Sequence, residues 1–132
     1  MDTFLFLLKL TTALGVFNVW ILRYNKKTNY RGGSATNLYE EFKTYGLSSW
    51  FMYFVGSVKI LISLLFIISL FINDIYIIKD FIELYGSIIM SFIMTAAIFM
   101  HFKIKDPIKK SIPALIMLTM YLLIIIVFIN YI

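Results

Sequence analysis

The sequence predicts an all-α membrane protein, a four-transmembrane-helix bundle with a short amphipathic interfacial helix between spans one and two. Three observations predict it. The chain has 132 residues, 61% of them hydrophobic, and a mean hydropathy of +0.90, whereas soluble domains carry about 45–50% apolar residues. The apolar residues gather into four runs, each near the ~20 residues that one helical crossing requires. Proline stays out of the interior of those runs. Pro107 precedes the fourth, and Pro113 falls in its first turn, where the missing N–H is not needed. Four spans and their connections use up residues 1–132 as a single membrane domain.

Span one is Phe4 to Leu22, ending at Arg23. It starts beside Asp2, without a basic leader or a clean small-x-small cleavage site, so it reads as a retained helix. The connection after it holds the short helix. Asn37 is placed to cap it, Glu40 three residues on gives a capping-box spacing, and Gly46 stands where the helix would stop. Leu38, Phe42 and Tyr45 share one face, with Glu40, Glu41, Lys43 and Thr44 elsewhere, the pattern of a helix lying at an interface. That face either packs under the bundle or docks a partner protein. Span two is Trp50 to Ile72, span three runs from Phe81 or Tyr85 to Phe102, and span four is Ile112 to Ile132. Ile75 to Ile78 is apolar but too short to cross, and reads as an interfacial turn.

Connection charges alternate. Arg23, Lys26, Lys27, Arg31 and Lys43 outnumber Glu40 and Glu41 in the first connection, and Lys103, Lys105, Lys109 and Lys110 face only Asp106 in the third. The second has Lys79 against Asp74, Asp80 and Glu83. Retention of Lys and Arg on the cytoplasmic side then puts connections 23–49 and 103–111 inside and both termini outside, in what is expected to be a bacterial inner membrane. The net charge of +5 is a headgroup signal of this kind and not a nucleic-acid one.

Several chemistries drop out. A chain with no cysteine has no disulfides, thiolate zinc sites or cysteine-bound iron–sulfur clusters, and one histidine rules out paired-histidine haem ligation. The carboxylates fall at connections, so no paired-acid site is evident, and there is no phosphate-cradling loop, nucleophile elbow or metal-spaced cluster. No catalytic residues and no metal ligands are assigned.

Lys59 stands out. It lies in the middle of span two, about 15 Å from the inner end at helical rise, where an unpaired cation is unfavourable by about 2.5–3.5 kcal/mol. Gly56 and Ser63 share its face at i−3 and i+4. It is either interhelical glue or the polar group of a binding pocket. Span three carries Ser87, Ser91 and Thr95 as a small polar stripe suited to packing, with His101 near its basic end. Thr11, Gly15 and Asn18 line one face of span one, and Lys9 is close enough to the outer surface to snorkel. Seven methionines and many phenylalanines suit packing or a lipophilic guest.

The order Tyr30-Arg31-Gly32-Gly33-Ser34-Ala35, Glu40-Glu41-Phe42, Tyr45-Gly46-Leu47, Trp50-Phe51, Val55-Gly56 and Lys59 resembles the DoxX-like family of small bacterial membrane proteins. So does the tail, with Met100-His101-Phe102-Lys103, Asp106-Pro107 and Pro113-Ala114. The resemblance covers nearly the whole chain and implies a four-helix membrane bundle. Relatives in that family include a subunit of a thiosulfate:quinone oxidoreductase and, more remotely, endoplasmic-reticulum proteins that assist receptor assembly. Much of the family carries an acidic residue where Lys59 stands here, while a subgroup carries lysine. Ser48-Ser49 replaces the proline expected after Tyr-Gly-Leu.

Residues and resemblance together lead to the expectation of an accessory membrane protein. It would hold a quinone or other lipid near Lys59, His101, Ser63 and Asn18, or support a membrane oxidoreductase. An assembly factor or scaffold docking a partner through Leu38, Phe42 and Tyr45 is the alternative, and a small-solute or proton transporter a weaker one. Membrane lipids are the expected surroundings, a redox partner or a homo-oligomer is compatible, and nucleic acid is not expected.

Overall fold

In the computed structural model, which describes residues 2–72 and 74–130, all regular structure is helical. α1 (Asp2–Phe17) continues through a π-helical turn, Asn18–Leu22. α2 (Leu38–Thr44) is the short connecting helix. α3 (Ser49–Ser69), α4 (Tyr76–Lys103) and α5 (Ile112–Asn130) follow, the last entered through a 3-10 turn at Ile108–Ser111. Among the described residues, four helical segments are long and apolar enough to cross a membrane: Thr3–Leu22, Ser49–Ser69, Tyr76–Lys103 and Ile108–Asn130. α1 packs on α3 and α5, and so does α4. The four spans therefore form a ring in chain order, with α1 and α4 on a diagonal. The two lysine-rich connections meet at one end, called here the basic end.

Local chemistry sets the helix ends. Asn37 Oδ1 accepts from Glu40 N at 2.8 Å, and Gly46 takes φ +80 just beyond α2, as the spacing predicts. The reciprocal half of the capping box differs. Glu40 reaches one residue further, accepting from Thr36 N (2.7 Å) and Thr36 Oγ1 (2.6 Å). These bonds hold its carboxyl below the ordinary carboxylate range. Ser48 caps α3 through Phe51 N at 3.2 Å, which gives the residue in the expected proline position its use.

Two boundaries need correcting. α4 begins at Tyr76, not at Phe81 or Tyr85, so Ile75–Ile78 is not a separate turn: Tyr76 to Ile78 open the helix. Nothing between Tyr76 and Phe81 breaks a helix, and charges that read as a connection are instead carried on its first turns. α3 stops at Ser69, three residues short of Ile72, with Leu70 and Phe71 bonded back to Ile67 and Ile68. The last two residues of the expected span four, Tyr131 and Ile132, lie outside the described residues.

The early start of α4 carries Glu83 into the bundle and overturns the snorkelling of Lys9. Lys9 is 2% exposed, and its Nζ lies 2.6 Å from Glu83 Oε1 and 3.2 Å from Ser69 Oγ. Its neighbours on the inward strip of α1, Thr12, Ala13 and Val16, are buried as well, so the side chain leaves the helix toward the core. There a carboxylate on the diagonal helix is nearer than water. Removing that carboxylate by Glu83→Ala should destabilise the protein by about 3–5 kcal/mol, and Lys9→Met with Glu83→Met should restore most of the loss. Thermal unfolding in detergent checks this; a Glu83→Ala midpoint equal to wild type would contradict it.

Candidate functional site

A cavity of about 590 Å³ lies under the basic end, bordered by α1, α2, α3, α4 and α5. Its wall is mostly apolar, and the polar groups in it include Asn18 from the end of span one, Arg31 from the first connection, Glu41 and Tyr45 from α2 and its C-cap, Lys59 from α3, His101 from α4 and Lys110 from the third connection. It is partly open. Val19 and Phe92, 40% and 74% exposed on the outer surface of the spans, contribute to its lining.

Lys59 is the eleventh of the 21 residues of α3 and is buried, as its depth predicts. Its ammonium sits 5.0 Å from the centre of the Trp20 ring, a cation–π contact. Trp20 gets there because the chain widens into a π turn, closed by Arg23 N to Asn18 O at 2.8 Å, which turns the indole inward. Gly56 makes the seat. A Cβ there would fall 2.5 Å from Trp20 Cζ3, so the glycine admits the indole ring of the neighbouring span.

From Trp20 a ladder of rings follows the cavity wall. Trp20 meets Phe42 edge-on at 5.8 Å, Phe42 meets Tyr45 at 6.1 Å, and Tyr45 meets His101 at 5.8 Å. Lys59 and His101 thus border one cavity, joined through aromatic rings and not by direct contact.

The far end of the ladder is a hydrogen-bonded chain. Arg31, 5% exposed, donates to the carbonyls of Arg23 and Lys26 and, at 3.3 Å, to Glu41 Oε2. The other oxygen of Glu41 accepts from the Tyr45 hydroxyl at 2.8 Å. The Tyr45 oxygen lies 3.4 Å from His101 Nε2, and His101 Nδ1 lies 2.7 Å from Asp106 Oδ2. A carboxylate only accepts, so Nδ1 carries a proton. Asp106 also accepts from Gly33 N at 3.1 Å, and Lys110 donates to Gly33 O. One carboxylate therefore orients the histidine and pins the first connection over the cavity.

The backbone places Asp106 for this. α4 ends in a Schellman turn: Asp106 N bonds to His101 O at 2.9 Å, Lys105 N to Phe102 O at 3.0 Å, and Lys105 takes φ +60. A lysine in that region is strained by about 1–2 kcal/mol, and the turn folds Asp106 back beneath its histidine.

The residues expected at the site divide as follows. Lys59, His101 and Asn18 border the cavity; Ser63, one turn deeper, is buried and does not. Leu38, Phe42 and Tyr45 are all buried and turned toward the bundle, and Leu38 N bonds to Tyr24 O. The face of α2 open to the surroundings carries Tyr39, Glu40 and Lys43 instead. Ser91 and Thr95 close on carbonyls of their own helix. Trp20, Arg31, Glu41 and Asp106 were missed. The five-residue step from His101 to Asp106, with Pro107 enforcing a helix end, is the signal that could have found the last.

Burial and the adjacent Glu41 carboxylate raise the pKa of the Tyr45 phenol well above its usual range. A pKa raised on folding adds stability that is complete below the unfolded value, about 10, and is lost as pH rises beyond it. Phenolate absorbance near pH 10–11 should therefore be the same in wild type and Tyr45→Phe. A smaller amplitude in Tyr45→Phe would show that Tyr45 ionises freely.

Comparison with known proteins agrees with this architecture. No curated protein and no solved structure matches the chain. The DoxX-like family model matches residues 32–127, from Gly32 at the start of the cavity cover through most of α5. The chain is an integral membrane protein of the DoxX-like family.

Proposed function

We propose that this protein binds a lipophilic molecule with a hydrogen-bond-accepting head, of the quinone or lipid class, in the cavity under its basic end. The observation that carries the reading is that the buried Lys59 ammonium borders a mostly apolar cavity whose lining reaches the outer surface of the spans. A volume near 590 Å³ is in the ordinary range for small-molecule sites. Val19 and Phe92 carry the lining to the outer surface of the spans, where a tail would meet the acyl region without passing through water. Lys59 supplies a cationic donor to the head. His101, backed by Asp106 and Tyr45, offers proton exchange between the cavity and the basic end. That chemistry suits an accessory role beside a membrane oxidoreductase, since a carbonyl head that is reduced elsewhere takes up protons.

Organic extraction and mass spectrometry of protein purified in mild detergent test the reading. Wild type should carry a lipophile that Lys59→Met loses, by about tenfold if one charge-assisted hydrogen bond is removed. Equal recovery from both would overturn it.

The orientation proposed with this function puts the basic end in the cytoplasm of a bacterial cell, on the strength of its Lys and Arg content. The chain has no cysteine, so single cysteines introduced as Asn25→Cys and Lys79→Cys report sidedness directly. They should label from opposite faces of the membrane, with Asn25→Cys protected in intact cells. Labelling from the same face would refute the arrangement.

A further inference from the structure

Beyond the cavity, buried polar side chains continue through the bundle to the other end. Lys59 on α3 is followed one turn deeper by Ser63 (1% exposed), and further on by Ser69 (0%), which accepts from Lys9. On α4, Ser87 (0%) lies one turn from Glu83 toward the basic end. Helical rise puts Ser87 about 6 Å and Ser63 about 9 Å from the level of the Lys9–Glu83 pair, with Lys59 at about 15 Å. The two serines lie at neighbouring levels: a Cβ on Gly86, beside Ser87, would meet Phe66 and Ile62 of α3 at 2.8 and 3.2 Å, and those residues flank Ser63 in sequence.

These two hydroxyls differ from five others on the spans. Thr12, Ser69, Ser91, Thr95 and Thr119 each donate to a carbonyl of their own helix. Ser63 Oγ and Ser87 Oγ are buried and have no hydrogen-bond partner among the described residues. A hydroxyl left unpaired in an apolar interior is costly, and the remedy in protein interiors is a bound water bridging polar groups. A pair of such hydroxyls lies between a buried ammonium and a buried ion pair.

We infer that Ser63 and Ser87 hold water between Lys59 and the Lys9–Glu83 pair, completing a proton path across the membrane. At the far end the path begins at exposed Asp80, one turn from Glu83 on α4, with Lys79 beside it. It runs through Glu83 and Lys9, the serine-bound water and Lys59, then across the cavity past Glu41, Arg31 and Tyr45 to His101 and Asp106. Each hydroxyl or water accepts a proton on one side and releases one on the other. Lys59 gives a proton to the cavity and takes one from the serine side. One proton moves per cycle, no bond between heavier atoms changes, and nothing is oxidised.

The experiment uses the purified full chain in liposomes with a trapped pH dye, a potassium diffusion potential driving proton entry. Wild-type liposomes should acidify faster than protein-free ones. Ser63→Ala with Ser87→Ala should cut the protein-dependent rate by about tenfold or more, the scale of a positioned proton-transfer group. Glu83→Gln, which keeps an acceptor for Lys9, should do the same. Both variants are checked for unchanged helicity, and the extracted lipophile is measured in the same preparations. Loss of flux with the lipophile retained supports the path. Wild-type flux no greater than that of empty liposomes overturns it, as does full flux in a folded serine double variant. Joint loss of lipophile and flux in that variant also overturns it, by making the flux a property of the cavity alone.

Discussion

Hydrocarbon does not solvate charge, so each ammonium and carboxylate drawn into this bundle has to be stabilised by the protein or by what it binds. Lys9 and Lys59 face that constraint at different depths and meet it unequally. Lys9 has a carboxylate at 2.6 Å and a hydroxyl at 3.2 Å. Lys59 has the face of an indole at 5.0 Å, which contributes about 0.5–2 kcal/mol against about 2.5–3.5 kcal/mol for a cation at mid-depth. The first cation is balanced by its neighbours. The second has that ring and the Glu41 carboxylate, which shares its cavity, and no direct ion pair among the described residues. That difference between the two cations is what the proposed binding role of Lys59 rests on.

The cover of the cavity depends on the same constraint at its edge. Residues 31–36 cross the basic end without regular structure, and polar anchors hold them there. Arg31 satisfies carbonyls of its own loop and Glu41; Gly33 is gripped at its N–H by Asp106 and at its carbonyl by Lys110. Glycine is required beside the tyrosine, since a Cβ at Gly32 would lie 2.7 Å from the Tyr45 ring. At Gly33, φ is +56. The strained Lys105 is the counterpart on the other connection, and both irregularities converge on Asp106. The aspartate ties two connections far apart in sequence to one histidine.

Much of this was legible in the residues. Hydropathy runs marked all four spans, because a lipid crossing demands an apolar segment of nearly fixed length. The Asn37–Glu40 spacing marked α2, and the mid-span position of Lys59 marked its burial. The ion pair was hidden for two physical reasons. Charges near a span end read equally well as headgroup contacts, and only the inward strip of α1 decides that Lys9 turns to the core. Glu83 looked like part of a connection because helix formers that carry charge do not announce whether a helix has already begun. The ring ladder was hidden as well, since the π turn that aims Trp20 has no pattern of its own in the sequence.

α4 joins the two halves of the molecule. Its 28 residues span about 42 Å, more than the ~30 Å hydrocarbon layer, so its ends reach the charged surfaces on both sides. Glu83, Ser87, Met90, Met94 and His101 are buried along it, which puts the ion pair, an unpaired hydroxyl and the histidine of the cavity on one rigid rod. The diagonal bond from Glu83 to Lys9 fixes the rotation of that rod, because turning it by one residue would put a carboxylate against acyl chains. The same rotation presents His101 to Tyr45 and Asp106. A contact near one surface of the membrane thereby sets the geometry of the site near the other, with no ligand or loop required to carry the constraint.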